Sequence, residues 1–284
     1  MKLISFMNEG IPGYGVVQDD RVSVLDVSSA LQTEFPDIKS IILGNAWDRL
    51  QDACRSCRSF DLSSVELLPP IPNPSKIFCI GHNYEEHRLE TGRPKTTFPS
   101  TFFRFADSQV AHGQSALIPR VSSEIDFEGE LAVVIGKAGR YIPAADALSY
   151  VAGYSCYNDI SVRDWQRHTT QFGPGKNFPY TGGFGPWMVT ANEIADPQEL
   201  ELTTRLNGQV VQHASTSQMI FTVAELIEYC SSFTPLAPGD VIVSGTPGGV
   251  GMKRTPPLYM VKGDVVEVEI SRIGTLRLTM AKED

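Results

Sequence analysis

An α+β fold that is mostly β is what this sequence predicts, with a small N-terminal α+β domain over residues 1–70 ahead of a larger, β-rich body over residues 71–284. Three observations lead there. From Lys76 onwards, apolar runs of strand length alternate with breaks rich in Gly and Pro, as in KIFCIG, VIVSGTP and VVEVEISRIGTLRLTM, which is the pattern of short strands joined by turns. Asn207-Gly208 divides LELTTRLNGQVVQHAS into two alternating halves, a strong hairpin signal. Only TVAELIEYCSSF spaces its apolar residues, Val223, Leu226, Ile227 and Cys230, along one helical face.

Taken in order, residues 1–26 alternate apolar and polar positions around Gly10, Gly13, Gly15 and an Asp19-Asp20 turn, which predicts an antiparallel meander. Leu25 to about Phe60 reads as two or three short helices burying Ile41, Ile42, Trp47 and Leu50. Pro69, Pro70, Pro72 and Pro74 then restrict themselves and their predecessors to extended conformations, so a semi-rigid connection closes the small domain. KIFCIG is a buried strand, HNYEEHRLETG has helical character, FPSTFFRF is extended and SALIPR is a further strand. Next comes the acidic stretch SEIDFEGELAVVI, residues 123–135. As one strand it points Glu124, Asp126, Glu128 and Glu130 to the same side and enters a core after Glu130. ALSYVAGYSCYNDI is a strand reaching Asn158-Asp159, SVRDWQRHT reads as a helix, and FGPWMVT is another strand.

Composition excludes several classes. Hydrophobic residues make up 42% and charged residues 20% of the 284, an ordinary globular balance. A net charge of −9 with no basic run argues against nucleic-acid partners. No apolar run approaches the ~20 residues of a membrane span, and MKLISFMNEG lacks the apolar region of a signal peptide, so the expected location is the cytoplasm, without a membrane partner. Cys54 and Cys57 form a C-x-x-C with no second pair, and two reduced thiols on a helix are expected there rather than zinc or redox chemistry.

Carboxylates crowded at a buried edge stay ionised only when a cation or several donors compensate them, and all-oxygen ligands suit Mg²⁺, Mn²⁺ or Ca²⁺. The competing reading is a solvated edge strand whose acids discourage aggregation. Asp159, at a strand end, is either a third oxygen ligand or the N-cap of SVRDWQ. His87 and Glu90, three residues apart, share a helical face. They make either a general base held by a carboxylate or an ordinary surface pair. Arg163, Gln166 and Lys176 would suit a small carboxylate substrate, or are solvated polar groups. GTPGGVG lacks the spacing and the following helix of a phosphate loop. It remains a tight turn whose amides and Thr246 hydroxyl could hold an oxyanion, or a plain structural turn.

Together, IFCIGHNYEEHRLETG, DFEGELAVVIGK, VAGYSCYNDISVRDWQ, GKNF with GFGPWMVT, LNGQVVQ and DVIVSGTPGGVG occur in the order that resembles the fumarylacetoacetate hydrolase family, its single-chain bacterial acylpyruvase-like and hydroxymuconate isomerase-like members in particular. The resemblance implies a mixed β-roll catalytic domain, usually a homodimer. It implies Mg²⁺ or Mn²⁺, with Ca²⁺ as a substitute, on Glu128, Glu130 and Asp159, leaving Glu124 a bystander and Asp126 a supporting acid. His87 and Glu90 become a water-activating dyad on a segment that orders over the ligand, next to the matching Asn83 and Tyr84. Tyr84, Arg163, Gln166, Lys176 and Thr246 are then substrate-binding. Arg104 stands where many members carry Lys, so a forked guanidinium is expected to recognise a different substrate anion. The implied reaction is metal-dependent hydrolysis of a C–C bond in a β-diketone acid of acylpyruvate, fumarylpyruvate or sugar-derived type, through an enolate on the metal. The alternatives are decarboxylation of an oxaloacetate-like acid, isomerisation of a hydroxymuconate-type acid, or a non-catalytic small-acid binding protein.

Overall fold

The computed structural model describes residues 1–18, 23–26, 29–55 and 59–284, with backbone alone for 23–26, 29 and 60. The Asp19-Asp20 turn and Cys57 lie outside the described residues; Cys54 ends the helix Trp47–Cys54.

The architecture is the expected α+β, mostly β one. A 12-stranded mixed sheet runs, edge to edge, through Ser59–Asp61, Ser23–Asp26, Ile11–Gln18, Lys2–Asn8, Gly182–Thr190, Val151–Asp159, Gly129–Ile135, Val241–Val243, Ile77–Gly81 and Ser100–Arg104, with Glu66–Leu68 and Gln109–Ala111 attached to its side. A 5-stranded sheet orders Gln209–Ser215, Glu201–Leu206, Val265–Ile270, Gly274–Lys282 and Ser115–Ile118. The N-terminal meander is antiparallel as read, and its first strand docks on the body, Lys2 opposite Val189 and Leu3 opposite Met188.

Alternation along the central strand explains the layering. Gly129–Ile135 is buried throughout. Leu131, Val133 and Ile135 face a core shared with the 5-stranded sheet (Leu202, Val268, Leu276) and with the helix Val223–Phe233. Ala132 and Val134 face the other side, where Ile38, Ile41, Ile42 and Leu50 of the short N-terminal helices cover the sheet. Each Val, Leu or Ile taken from water here contributes about 1.5–3 kcal/mol. The helices are Ser29–Glu34, Ile38–Leu43 and Trp47–Cys54, with Trp47 only half-buried. Thr222 and Glu225 form a capping box at the start of Val223–Phe233, and Val223, Leu226, Ile227 and Cys230 are its buried face. Asn207 and Gly208 both take positive φ, 51° and 79°, as a two-residue hairpin turn requires. Among the described residues no helix is long and apolar enough to cross a membrane.

Two expectations are corrected. The acidic stretch is not one strand: Ile125–Asp126 pairs with Ser161–Val162, and Gly129–Ile135 pairs with Val151–Asp159. At the break, the Phe127 amide donates to its own neighbour, Asp126 Oδ1, at 2.9 Å, and the Glu128 amide donates to Asn158 Oδ1 at 3.0 Å. The four acids therefore do not share a face. The second strand is also interior, between Val151–Asp159 and Val241–Val243, which rules out a solvated edge. SVRDWQRHT contributes only the turn Arg163–Gln166, capped by Val162 without a side-chain bond, so Asp159 is no N-cap.

Candidate active site

Antiparallel register brings the acids together. Gly129 lies opposite Asn158, and the Asp159 amide donates to the Glu128 carbonyl at 2.8 Å, so residues flanking two neighbouring strands meet at one sheet end. Carboxylate oxygens of Glu128, Glu130 and Asp159, all buried, lie within 4.8 Å of one another. Lys176 Nζ bridges Glu128 Oε2 at 2.7 Å and Asp159 Oδ2 at 2.6 Å, and Arg163 reaches Glu128 Oε1 at 2.7 Å. Burial would raise Glu128, but Lys176 and Arg163 hold its carboxyl far below the usual range. Glu130 goes the other way: burial, then the charges of Asp159 and Glu128, push it well above the usual range. A buried all-oxygen triad whose third member lacks compensating charge fits a hard divalent cation.

The loop after Val241–Val243 closes the site from above. Its amides donate to the protein's own carboxylates: Gly245 to Glu130, Gly249 to Glu90 Oε2 at 3.0 Å, Gly251 to Asp126 Oδ1 at 2.8 Å and Met252 to Asp126 Oδ2 at 2.9 Å. Those donors are thus not aimed at a substrate oxyanion. Thr246 faces the cleft and donates to the Gly129 carbonyl at 3.0 Å. Asp126, fully buried, receives Arg163 Nε at 2.8 Å and so aims that guanidinium at Glu128.

His87 and Glu90 sit on the helix Glu85–Glu90, His87 Nδ1 lying 2.7 Å from Glu90 Oε1. Burial works to raise Glu90, but hydrogen bonds from His87 and the Gly249 amide leave it below the usual carboxylate range. An ionised Glu90 only accepts, which assigns the proton to Nδ1 and the lone pair to Nε2.

A cleft of about 740 Å³ is lined by His87, Glu128, Glu130, Arg163, Gln166, Lys176 and Thr246. Asp159 and Glu90 stand behind this wall, bonded to Lys176 and His87. Tyr84 and Arg104 do not line it, a correction to both as substrate contacts. Tyr84 is fully buried, its backbone bridged to Met219. Arg104 directs its five N–H groups at Asp159 Oδ1, Ser108 Oγ, Thr181 Oγ1, the Ile160 carbonyl and the Thr181 carbonyl. With none left for a ligand, the guanidinium holds Asp159. The cleft also contains residues that sequence reasoning missed: His82, Arg93, Arg167, Phe172 and Lys253. Arg93 and Lys253 had a faint signal, TGRP after the dyad and MKR after the glycine loop; His82 and Phe172 had none.

A buried oxygen triad, a carboxylate-held imidazole and a cation-rich cleft on one sheet end are the parts that a metal-assisted active site needs. Residues 76–281 match the family described as fumarylacetoacetate (FAA) hydrolase C-terminal, and residues 1–70 that described as Rv2993c-like, N-terminal. The mitochondrial oxaloacetate tautomerase FAHD2A of Bos taurus is 44% identical over 216 residues, 75% of this chain and 69% of the relative. The structure of 5-carboxymethyl-2-hydroxymuconate delta-isomerase from Mycobacterium smegmatis superposes with a TM-score of 0.81 at 29% identity, covering 100% of both chains. That of maleylpyruvate hydrolase from Sphingobium sp. SYK-6, in complex with manganese(II) ion and pyruvate, gives 0.84 at 26% identity, again over 100% of both. The chain belongs to the fumarylacetoacetate hydrolase family.

Proposed function

We propose that this chain interconverts the keto and enol forms of an oxaloacetate-type 2-oxo dicarboxylic acid, with Mg²⁺ or Mn²⁺ held by Glu128, Glu130 and Asp159. The observation that carries the reading is that the triad and the His87–Glu90 pair are built against one cleft. The relative at 44% identity is named an oxaloacetate tautomerase, and the neighbour with manganese carries pyruvate, a 2-oxo acid. Charge supports a diacid: in a chain of net charge −9, the cleft is lined by Arg93, Arg163, Arg167, Lys176 and Lys253, and among the described residues its only lining acids are Glu128 and Glu130.

When bound, the ion supplies Lewis-acid stabilisation of negative charge on the substrate's oxo oxygen. His87 Nε2 takes the proton from the carbon beside the oxo group, its Nδ1–H held by Glu90. The C–H electron pair moves through the carbon–carbon bond to the oxo oxygen, which takes a proton from solvent while His87 Nε2 gives its proton back to solvent; the reverse course ketonises the enol. Lys176 and Arg163 stay charged, Lys176 raised by Asp159 and Glu128 against the effect of burial, and offset the charge that builds on the substrate. Gln166 and Thr246 line the wall as orienting hydrogen-bond groups.

Hydrolysis of an acylpyruvate is the second reading, favoured by the full-length superposition on maleylpyruvate hydrolase. There His87 removes a proton from the water that attacks the distal carbonyl. Following oxaloacetate enol absorbance and pyruvate release in parallel, with Mg²⁺, Mn²⁺ or chelator, separates the two. Metal-dependent pyruvate release from acylpyruvates without accelerated enol decay overturns the tautomerase reading. The homodimer, the division after residue 70 and the cytoplasmic location remain part of this proposal, the first testable by light scattering.

A further inference from the structure

Among the described residues, His82 is the one cleft-lining residue besides glycine that holds a left-handed backbone, with φ at 57°. For a residue bearing a Cβ this conformation is uncommon and costs of order 1–3 kcal/mol unless its surroundings enforce it. Asn83 enforces it here. Its Nδ2 donates to the Ser244 carbonyl at 2.8 Å and the Phe221 carbonyl at 3.0 Å. Its Oδ1 accepts the Phe221 amide at 2.8 Å, and its carbonyl accepts the Ile220 amide at 2.7 Å. The turn between the strand Ile77–Gly81 and the helix Glu85–Glu90 is thereby pinned, and the His82 ring is turned back over that helix.

What the ring meets there is the imidazole of His87. The two lie face to face, centroids 5.2 Å apart and planes inclined by only 11°, while Phe172 closes on His82 edge-on at 6.2 Å. The Glu90 bond fixes one edge of the His87 ring, yet a single hydrogen bond leaves the ring free to tilt about it. A flat neighbour on one face removes that freedom. We infer that His82 is a positioning residue for the reaction: its stacked imidazole fixes the plane of His87, so that Nε2 stays aimed into the cleft. The inference rests on the reading of His87 as the base.

The groups around His82 suit it to this. Burial first, then His87, Arg93 and Lys176, push its imidazole down to about 4, with Glu128 opposing. It therefore remains neutral near pH 7 and puts no second positive charge against His87 when that ring takes up a proton. A Lys or Arg in its place would.

His82→Asn keeps a side chain that tolerates the left-handed backbone but removes the ring; His82→Phe restores a flat ring without nitrogens. On oxaloacetate with saturating Mn²⁺, kcat of His82→Asn falls by roughly ten- to a hundredfold with KM within about twofold, and His82→Phe recovers most of the loss. In parallel, the ring protons of His87 in the metal-free wild-type protein show the upfield shift of a stacked neighbour, and His82→Asn loses it. Unchanged kcat in His82→Asn, an effect confined to KM, or no recovery in His82→Phe overturns the inference. An unshifted His87 ring in the wild type does so without any turnover. If the wild type fails to act on oxaloacetate while the ring shift is present and depends on His82, the functional reading fails and the stacking stands.

Discussion

Arg104 shows at the scale of a residue how a substitution in a familiar segment can be misread. As a forked cation in place of Lys it invited assignment to a substrate anion, but its donors are spent on Asp159 and the surrounding backbone and hydroxyls. Arg104→Met should destabilise the protein by about 1–3 kcal/mol, because it takes the charged donor from one oxygen of the buried Asp159 while Lys176 keeps the other; urea unfolding measures this, and Arg104→Lys should recover only part. Glu130 supports a second prediction. Its carboxyl is raised well above the usual range by burial and by Asp159 and Glu128, so the folded metal-free protein favours the protonated form of this group. Because the folded form holds that proton more tightly than the unfolded chain, this group's contribution to metal-free stability is full at low pH and is lost as pH rises through the raised value. A cation must displace the same proton, so Mn²⁺ affinity should rise with pH until Glu130 is ionised. Calorimetry in two buffers of different ionisation enthalpy should show proton release, and Glu130→Gln should abolish it.

Among the elements, those that build the site were legible as units and illegible as partners. The strand ends carrying Glu130 and Asp159, the helix carrying His87 and Glu90, and the glycine loop could each be read from periodicity and turn residues. The register that lays Gly129 opposite Asn158 could not, nor could the break at Phe127-Glu128, since both are set by partners remote in sequence, such as the Asn158 Oδ1 that accepts the Glu128 amide. The glycine loop is the clearest instance. Its amides looked available to a ligand, yet they tie Glu130, Glu90 and Asp126 into one frame. A Cβ at Gly251 would meet the Leu258 carbonyl oxygen at 1.9 Å and Asp126 Oδ1 at 2.6 Å. Gly251→Ala should therefore cost more than the typical ~1 kcal/mol of a point change and lower activity through Arg163, which Asp126 aims; thermal melting together with turnover checks both.

For the whole molecule, one mixed sheet covered on both faces by separate cores presents strand ends to the cleft. Fold class was readable because alternation and turn chemistry are local, and the family because six segments keep their order. The charge asymmetry between an acidic chain and a cationic cleft was not readable, since Arg93, Arg167 and Lys253 come from distant segments. It predicts selectivity. Arg93→Gln with Lys253→Gln should raise KM for a 2-oxo dicarboxylate several-fold, by about 1 kcal/mol, and leave a monocarboxylic 2-oxo acid nearly unaffected; added salt should narrow the difference. If a divalent ion on Glu128, Glu130 and Asp159 serves the His87–Glu90 base, the decisive quantity is the rate of oxaloacetate enol decay with Mn²⁺. That rate should be abolished by chelator, restored by Mn²⁺ and absent in folded Glu128→Ala and His87→Ala; a rate indifferent to chelator, or intact in either variant, would rule out this chemistry.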